Sequence, residues 1–209
     1  MQDEPRDLHR QSHHGNPHPI EEPLTYLLDY GIDVSRRRIF LHGDVDEDTI
    51  AFAVRGLVHM SDVSNVPVEM VISSYGGSID ESFVLHDVMK AVRCPIHTVA
   101  LGFCMSAAPF LVAAGDKRSA SPNCDFMMHT ASFEMEGSMA NAATTTEAVR
   151  SRCERMDRLL ASYSSMPYRH WKKFTDSPVD VYFDAKQAKE WGIVDEIWDL
   201  SVRTPNPVV

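Results

Sequence analysis

The chain has 209 residues, of which 30 are Asp or Glu and 20 are Lys or Arg, so its formal net charge is −10. With 44% apolar and 24% charged residues, it has the composition of a soluble globular protein, and its length fits one domain. The acidic balance argues against a nucleic-acid-binding protein, because binding to phosphate backbones depends on clustered Lys and Arg.

The first segment of the chain is polar and differs in composition from the remainder. We predict that residues 1–23, which are rich in His and Pro, form a flexible tail ahead of one domain at residues 24–209. The tail has no apolar segment of the kind that a secretory signal requires. We interpret its histidines as part of a solvated tail rather than as a metal site.

Strands and helices are predicted to alternate along the domain. Strands are predicted from apolar runs at residues 38–41, 66–73, 96–101, 125–129 and 193–200. Helices are predicted from periodic apolar positions at residues 23–30, 49–61, 82–92, 106–114, 144–163 and 185–191. The acidic segment 43–48 is predicted to be a turn and the start of a helix, and Thr144 and Glu147 are predicted to form the capping box of the longest helix. This alternation predicts an α/β architecture with right-handed crossovers.

One uncharged run could either span a membrane or lie in the protein core. Residues 98–115 contain 18 positions without a charge, which is long enough for a membrane span. The run also contains Gly102, Ser106, Pro109 and Gly115, which are typical of turns and helix starts. We therefore predict a buried strand, a turn and a buried helix, and no membrane partner.

The cysteines predict neither a disulfide framework nor a metal site. They are Cys94, Cys104, Cys124 and Cys153, and no two have the CxxC spacing of zinc and redox motifs. We expect free, buried thiols in a reducing compartment, and we assign the protein to the cytoplasm. Neither GxGxxG nor a Walker A motif is present, and no cofactor is expected.

The segment around Ser106 is the most informative one for chemistry. An apolar strand runs into Gly102, and Ser106 then opens an apolar helix. Unpaired N–H groups and the dipole at a helix start stabilise negative charge, which suits a nucleophilic oxygen and the oxyanion it creates. Such a serine can also be a simple helix N-cap, and this segment alone leaves both roles open. The GxSxG motif of α/β-hydrolases is absent.

Three further features could complete such a site. Gly76 and Gly77 follow an apolar strand and could direct backbone N–H groups at a ligand, or they could form an ordinary turn. His129 ends an apolar run, and Asp180 lies in a loop. A serine nucleophile needs a neutral imidazole, and the imidazole needs a carboxylate to orient it. The chain offers these residue types in the order Ser, His, Asp, although spacing does not show that they meet.

Together these segments resemble the family of the proteolytic subunit of Clp protease (ClpP) and its phage and plasmid relatives. The resemblance covers about residues 38–195 and rests on the order and separation of short motifs: Arg38-Ile39-Phe40-Leu41-x-Gly43, Gly76-Gly77, Gly102-x-x-x-Ser106, Met128-His129, Asp180-x-x-Phe183-x-Ala185 and Gly192-Ile193-Val194-Asp195. It implies an α/β fold of the ClpP/crotonase type, a ββα spiral with a projecting strand–helix handle. The handle would comprise residues 130–137 and the long helix after Thr144.

The resemblance also implies roles for particular residues. Ser106 would be the nucleophile, His129 the general base and acid, and Asp180 the carboxylate that orients His129. Backbone N–H groups of Gly77 and Ala107 would form the oxyanion hole. The substrate would bind as an added strand against the remaining implied residues: Gly76, Ala131, Ser132 and Phe133. Activity should fall at mildly acid pH, because the base must be neutral.

Assembly and partners follow from the same resemblance. The family forms seven-membered rings, stacked in pairs as a tetradecamer around a closed chamber. The chain would be the ATP-independent subunit of a self-compartmentalised serine endopeptidase that acts on unfolded or short polypeptides. A partnership with an AAA+ unfoldase is left open, because Glu69 and Val71 stand where the family has aromatic residues in its docking pocket. Tyr75 likewise stands where the family has proline.

Three alternatives remain at this point. One is a phage head-maturation peptidase of the same type that works without an unfoldase. The second is a crotonase-type acyl-CoA enzyme, for which Asp80 and Glu81 are the only carboxylates expected near the oxyanion hole. The third is a ring subunit that has lost its activity.

Overall fold

A computed structural model describes residue 27, residues 29–132 and residues 138–201, apart from the side chains of residues 139 and 140. The predicted tail at residues 1–23 and most of the predicted helix at residues 23–30 lie outside the described residues. The division of the chain into a tail and a domain therefore stays a prediction.

The described residues form one eight-stranded sheet and six helices, which confirms the predicted α/β class. The strands are β1 (Ile32–Asp33), β2 (Arg38–Val45), β3 (Val68–Gly77), β4 (Ile96–Met105), β5 (Lys117–Ala120), β6 (Asp125–Met128), β7 (Val181–Asp184) and β8 (Glu196–Ile197). The helices are α1 (Glu47–Val63), α2 (Ile79–Ala91), α3 (Ala108–Ala113), α4 (Met139–Tyr163), α5 (Tyr168–Thr175) and α6 (Ala185–Glu190).

The sheet divides into two branches along β4. Its main path runs β1-β2-β3-β4-β5-β8, with all pairs parallel except β1 with β2. The first half of β4 pairs with β5 between His97 and Ala100, whereas its last three residues, from Phe103 to Met105, pair with β6. The short strand β6 then pairs with β7 in antiparallel register. The carboxyl end of β4 is thus held in a branch of its own.

The hydrophobic core lies where apolar strand positions meet α1, α2 and α3. Along β2, Ile39 and Leu41 are buried, whereas Phe40 between them is largely exposed, as expected for a strand with one covered face. Every residue of α3 is buried, so the buried helix predicted within the uncharged run at residues 98–115 is confirmed, whereas Leu101 at the turn is exposed. In the described part of the chain, no helix is both long enough and apolar enough to cross a membrane.

Two predicted strands are too short. The ladder between β2 and β3 continues beyond a register shift, so that Asp44 pairs with Gly76 and Val45 with Gly77. The prediction that segment 43–48 is a turn is therefore wrong for its first three residues, and the two glycines belong to β3. Hydrogen bonding to a neighbouring strand, which local sequence does not reveal, extends both strands.

The long helix also begins earlier than predicted. It starts at Met139, and the Ser138 hydroxyl accepts a hydrogen bond from the Asn141 N–H, so the predicted cap at Thr144 is wrong. Residues 141–150 are mostly exposed, which makes this half of α4 the helical arm of the predicted handle. Residues 133–137 of the handle lie outside the described residues. Sequence periodicity also missed α5, whose Trp171 is fully buried.

Candidate active site

Ser106 lies in a strained turn between β4 and α3. Its φ of 57° is in the left-handed region, which costs a residue other than glycine about 1–3 kcal/mol unless its surroundings enforce it. The Ser106 N–H donates to the carbonyl oxygen of Met127 at 2.8 Å, which fixes the turn to β6. The expectation that Ser106 opens the helix is wrong, because Ala107 is the N-cap and α3 begins at Ala108. The turn leaves Ser106 lining a cleft.

The pairing of β4 with β6 brings His129 to Ser106. Met105 pairs with Met127, so the residues that follow each strand leave the sheet side by side. His129 comes two residues after Met127, and its Nε2 lies 2.8 Å from Ser106 Oγ. This distance is that of a hydrogen bond, in which the hydroxyl donates when Nε2 is unprotonated.

The pairing of β6 with β7 brings Asp180 to the other side of the imidazole. Met128 pairs with Val181 in an antiparallel ladder, so His129 and Asp180 lie opposite each other where the strands end. His129 Nδ1 and Asp180 Oδ1 are 3.8 Å apart, which is within ion-pair range and longer than a hydrogen bond. Both side chains retain solvent access, with 29% of the His129 side chain and 49% of the Asp180 side chain exposed.

The two glycines at the end of β3 allow it to approach the serine turn. Gly76 has a φ of +92°, and a Cβ there would lie 2.5 Å from the Cβ of Ser106 and 2.9 Å from the Ala107 nitrogen. A side chain on Gly77, which also has positive φ, would collide with the carbonyl of Val45. The backbone of β3 thus borders the serine turn directly, beside the N–H group of Ala107.

The serine and histidine open onto a cleft of about 790 Å³. It is bounded by the ends of β2, β3 and β6, by the serine turn and by α4. Of the residues predicted to bind substrate, Gly76, Ala131 and Ser132 line the cleft, whereas Phe133 lies outside the described residues. Gly77 and Ala107, the predicted oxyanion donors, line it too.

Sequence reasoning missed the wall that α4 contributes to this cleft. Val149, Arg152, Cys153 and Met156 follow the i, i+3, i+4, i+7 spacing of one helix face. This spacing also predicts Val149 and Met156 as core positions, and the structure confirms it for Met156, which is buried in the core, whereas Val149 is only half-buried. Arg152 reaches across the cleft margin, and its Nε lies 2.7 Å from Asp80 Oδ1, so this carboxylate is engaged by a cation.

The cleft contains a second potential nucleophile in Cys153. Burial and the carboxylate of Asp157 raise the pKa of its thiol above the ordinary value. A protonated thiol is a weak nucleophile, so the local environment disfavours Cys153 in that role. Cys94, Cys104 and Cys124 are free and buried, as predicted, and Cys153 is free and partly buried. Within the described ranges, no cluster of three or more His, Cys, Asp or Glu side chains could hold a metal ion.

The chain is similar to a known protein family. The family model for Clp protease matches residues 28–201, which is most of the chain. The match includes the whole of the described sheet and every residue that contributes to the cleft.

Proposed function

Because the chain belongs to the Clp protease family, we propose that this peptidase is a serine endopeptidase whose nucleophile is Ser106. The observation that carries the proposal is the contact of 2.8 Å between Ser106 Oγ and His129 Nε2 in an open cleft. The left-handed backbone of Ser106 adds support, because strain of this kind persists where function needs it.

In the proposed reaction, His129 acts first as a base and then as an acid. Its Nε2 takes the proton of Ser106 Oγ while the oxygen forms a bond to the scissile carbonyl carbon. The protonated imidazole then gives that proton to the leaving amine, and the C–N bond breaks. Water, deprotonated by the same imidazole, hydrolyses the resulting acyl-enzyme and restores the serine.

The oxyanion formed in each step would be stabilised by the N–H groups of Gly77 and Ala107. Both residues line the cleft beside Ser106, and Ala107 directly follows it in the turn. Backbone donors of this kind are worth about 3–4 kcal/mol of transition-state stabilisation. Gly76 contributes differently, because its lack of a side chain lets β3 lie against the serine turn.

Asp180 would stabilise the imidazolium and select the tautomer of His129. The distance of 3.8 Å permits electrostatic stabilisation but must shorten by about 1 Å for a hydrogen bond to His129 Nδ1. Catalytic hydrogen bonds are often long in proteins without substrate and tighten in the reacting complex. We infer that substrate binding or assembly closes this gap.

The substrate would bind as an extended strand along the cleft. Ala131 and Ser132 come two and three residues after His129, and they line the cleft together with Gly76. A peptide laid between these edges can pair with backbone groups on both sides, which tolerates many sequences. We propose that Phe133 continues this edge.

Members of the Clp protease family form oligomeric rings and take polypeptide substrates. For this chain we propose a heptameric ring, stacked as a tetradecamer, in the cytoplasm. We do not extend the proposal to an AAA+ unfoldase, because Glu69 forms an ion pair with Arg38 on the neighbouring strand at the position of the docking pocket. A charged pair there makes an apolar docking pocket less favourable.

A fluorophosphonate probe tests the proposed nucleophile directly. Such probes phosphonylate a serine hydroxyl that an adjacent base has activated, so we expect one label per chain on the peptide that contains Ser106. Mass spectrometry of the intact protein and of its proteolytic peptides would measure the labelling. The Ser119→Ala variant, which alters a buried serine away from the cleft, is the matched control and should label normally. Absence of label from the wild-type assembly would contradict the proposal.

Replacing Asp180 by Asn should lower kcat by about 10²- to 10⁴-fold, because an amide neither stabilises the imidazolium nor holds the required tautomer. Turnover of a fluorogenic peptide measures this loss. The Asp62→Asn variant makes the same change at an exposed position of α1 and should retain the wild-type rate. A loss below about threefold would mean that Asp180 stays apart from the imidazole during catalysis.

A further inference from the structure

A second cavity of about 370 Å³ adjoins the cleft that holds Ser106 and His129. Four residues line both spaces, so the second cavity is a side pocket of the first: Ala131, Val149, Cys153 and Thr175. Its rim at Ala131 is two residues from His129, and its far wall is formed by α4 and the end of α5. We call it the acidic side pocket, because Glu154, Asp157 and Asp176 line it.

Asp157 is the buried acid of this pocket. Only 1% of the residue is exposed, and its Oδ2 accepts a hydrogen bond from the Thr175 hydroxyl at 2.8 Å. Its Oδ1 is buried and has no hydrogen-bond partner among the described residues. Burial raises the pKa of Asp157 to about 6, so the carboxyl is still mostly ionised at neutral pH. Burial of a carboxylate with a hydrogen bond to only one of its oxygens is energetically unfavourable, and a nearby cation would stabilise it.

The cations near the pocket have other partners. Lys172 binds Asp176 at 3.0 Å and lies 3.9 Å from Glu154, while Arg150 lies 3.6 Å from Glu147. No described Lys, Arg or His side chain comes within ion-pair distance of Asp157, whose only described polar partner is a neutral hydroxyl. Among the charged groups that line the pocket, three are acidic and two are basic. A further positive charge would therefore be favoured there.

We propose that the acidic side pocket binds the Lys or Arg side chain of the substrate residue whose carbonyl Ser106 attacks. This inference rests on the proposed peptidase function and adds a substrate class to it. A long side chain suits the pocket, because its aliphatic stem would pass Val149 and Cys153 before its charged head reaches Asp157. Asp157 is then a specificity-determining residue, and it takes no part in the bond-breaking steps.

Matched fluorogenic peptides that differ only at this residue test the proposal on the full chain in its native assembly. Lysine and norleucine share a four-carbon stem, so the ratio of their kcat/KM values measures the contribution of the ammonium group. We expect a ratio of about 10 to 100 in favour of lysine. The Asp157→Asn variant, which keeps an oxygen for the Thr175 hydroxyl, should lower that ratio about 10-fold or more. The Asp62→Asn control should leave the ratio at the wild-type value.

The pH dependence of the same ratio tests the inference without any variant. Only ionised Asp157 attracts the ammonium, so the ratio should fall as the pH is lowered through about 6. Protonation of His129 slows both peptides alike and cancels in the ratio. The other titratable or charged groups that line the pocket are Arg150, Cys153, Glu154, Lys172 and Asp176. Glu154→Gln and Asp176→Asn should each lower the ratio less than Asp157→Asn, because these acids already lie near Lys172.

The outcomes separate the two proposals. Cleavage of both peptides with a ratio near 1, or a ratio that Asp157→Asn and pH leave unchanged, would overturn the role of the pocket and leave the peptidase proposal intact. If the wild-type assembly cleaved neither peptide and took up no fluorophosphonate, the peptidase proposal would fail and the substrate assignment with it.

Discussion

Replacing Ser106 by Ala should lower kcat for peptide cleavage by about 10⁴- to 10⁶-fold, because the variant lacks the hydroxyl that forms the acyl-enzyme. The fold should be unaffected. Alanine keeps the Cβ of serine, and the hydrogen bond that the Ser106 hydroxyl makes in the described structure is to the partly exposed His129. Peptide turnover at high enzyme concentration measures the residual rate, and a denaturant titration measures the free energy of unfolding. The Ser119→Ala variant serves again as the control and should keep both quantities close to wild type.

A smaller loss would point to a different nucleophile. If Ser106→Ala kept more than about 1% of the wild-type rate, the reaction would have to run through another group in the cleft. Cys153 is the candidate for that role, and alkylation of its thiol would then abolish the remaining activity. The raised pKa of the Cys153 thiol argues against this outcome, because a protonated thiol is a weak nucleophile.

The local sequence around Ser106 predicts much of the fold that surrounds it. Gly102 and Pro109 within the uncharged run favour a strand, a turn and a helix over a membrane span, and the structure confirms this arrangement. What local sequence could not reveal is the left-handed backbone of Ser106. That conformation depends on a hydrogen bond to Met127, which becomes a neighbour only when β6 joins the end of β4.

The separation of His129 and Asp180 along the sequence likewise could not show that their side chains lie close together. Their proximity depends on two short ladders: β4 pairs with β6 at three positions, and β6 pairs with β7 at four. Short strands carry weak periodic signals, so their register is decided by packing in three dimensions. The resemblance to a known family was needed to predict that Ser106, His129 and Asp180 act together.

The helical wall of the cleft shows a different limit of sequence reasoning. A helix that closes a cleft presents the same periodic apolar pattern as one that covers a core, so Met156 could be assigned to either. Asp157 follows it directly and looks like a surface residue in the sequence. Its burial becomes evident only when α5, which the periodicity missed, packs Thr175 against it.

Replacing Gly76 by Ala should lower kcat by about 100-fold or more, because the added methyl group collides with the serine turn. The new Cβ would lie 2.5 Å from the Cβ of Ser106 and 2.6 Å from the carbonyl oxygen of Met105, so the serine turn must move. A displacement of about 1 Å at the nucleophile is enough to cost two orders of magnitude. The strain at positive φ should also reduce the free energy of unfolding by about 1–2 kcal/mol.

The Gly43→Ala variant distinguishes the strain at positive φ from the collision with the serine turn. The φ of +97° at Gly43 is as unfavourable for alanine as that of Gly76, but a Cβ at Gly43 would have no heavy atom within 4 Å. Gly43→Ala should therefore lower the free energy of unfolding by the contribution of the φ strain alone, about 1–2 kcal/mol, while the folded protein keeps its turnover rate. Peptide cleavage by both variants, measured well below their unfolding temperatures, isolates the collision with Ser106. Equal activity of the two variants would mean that the serine turn tolerates displacement, and the close approach of β3 would then have no catalytic consequence.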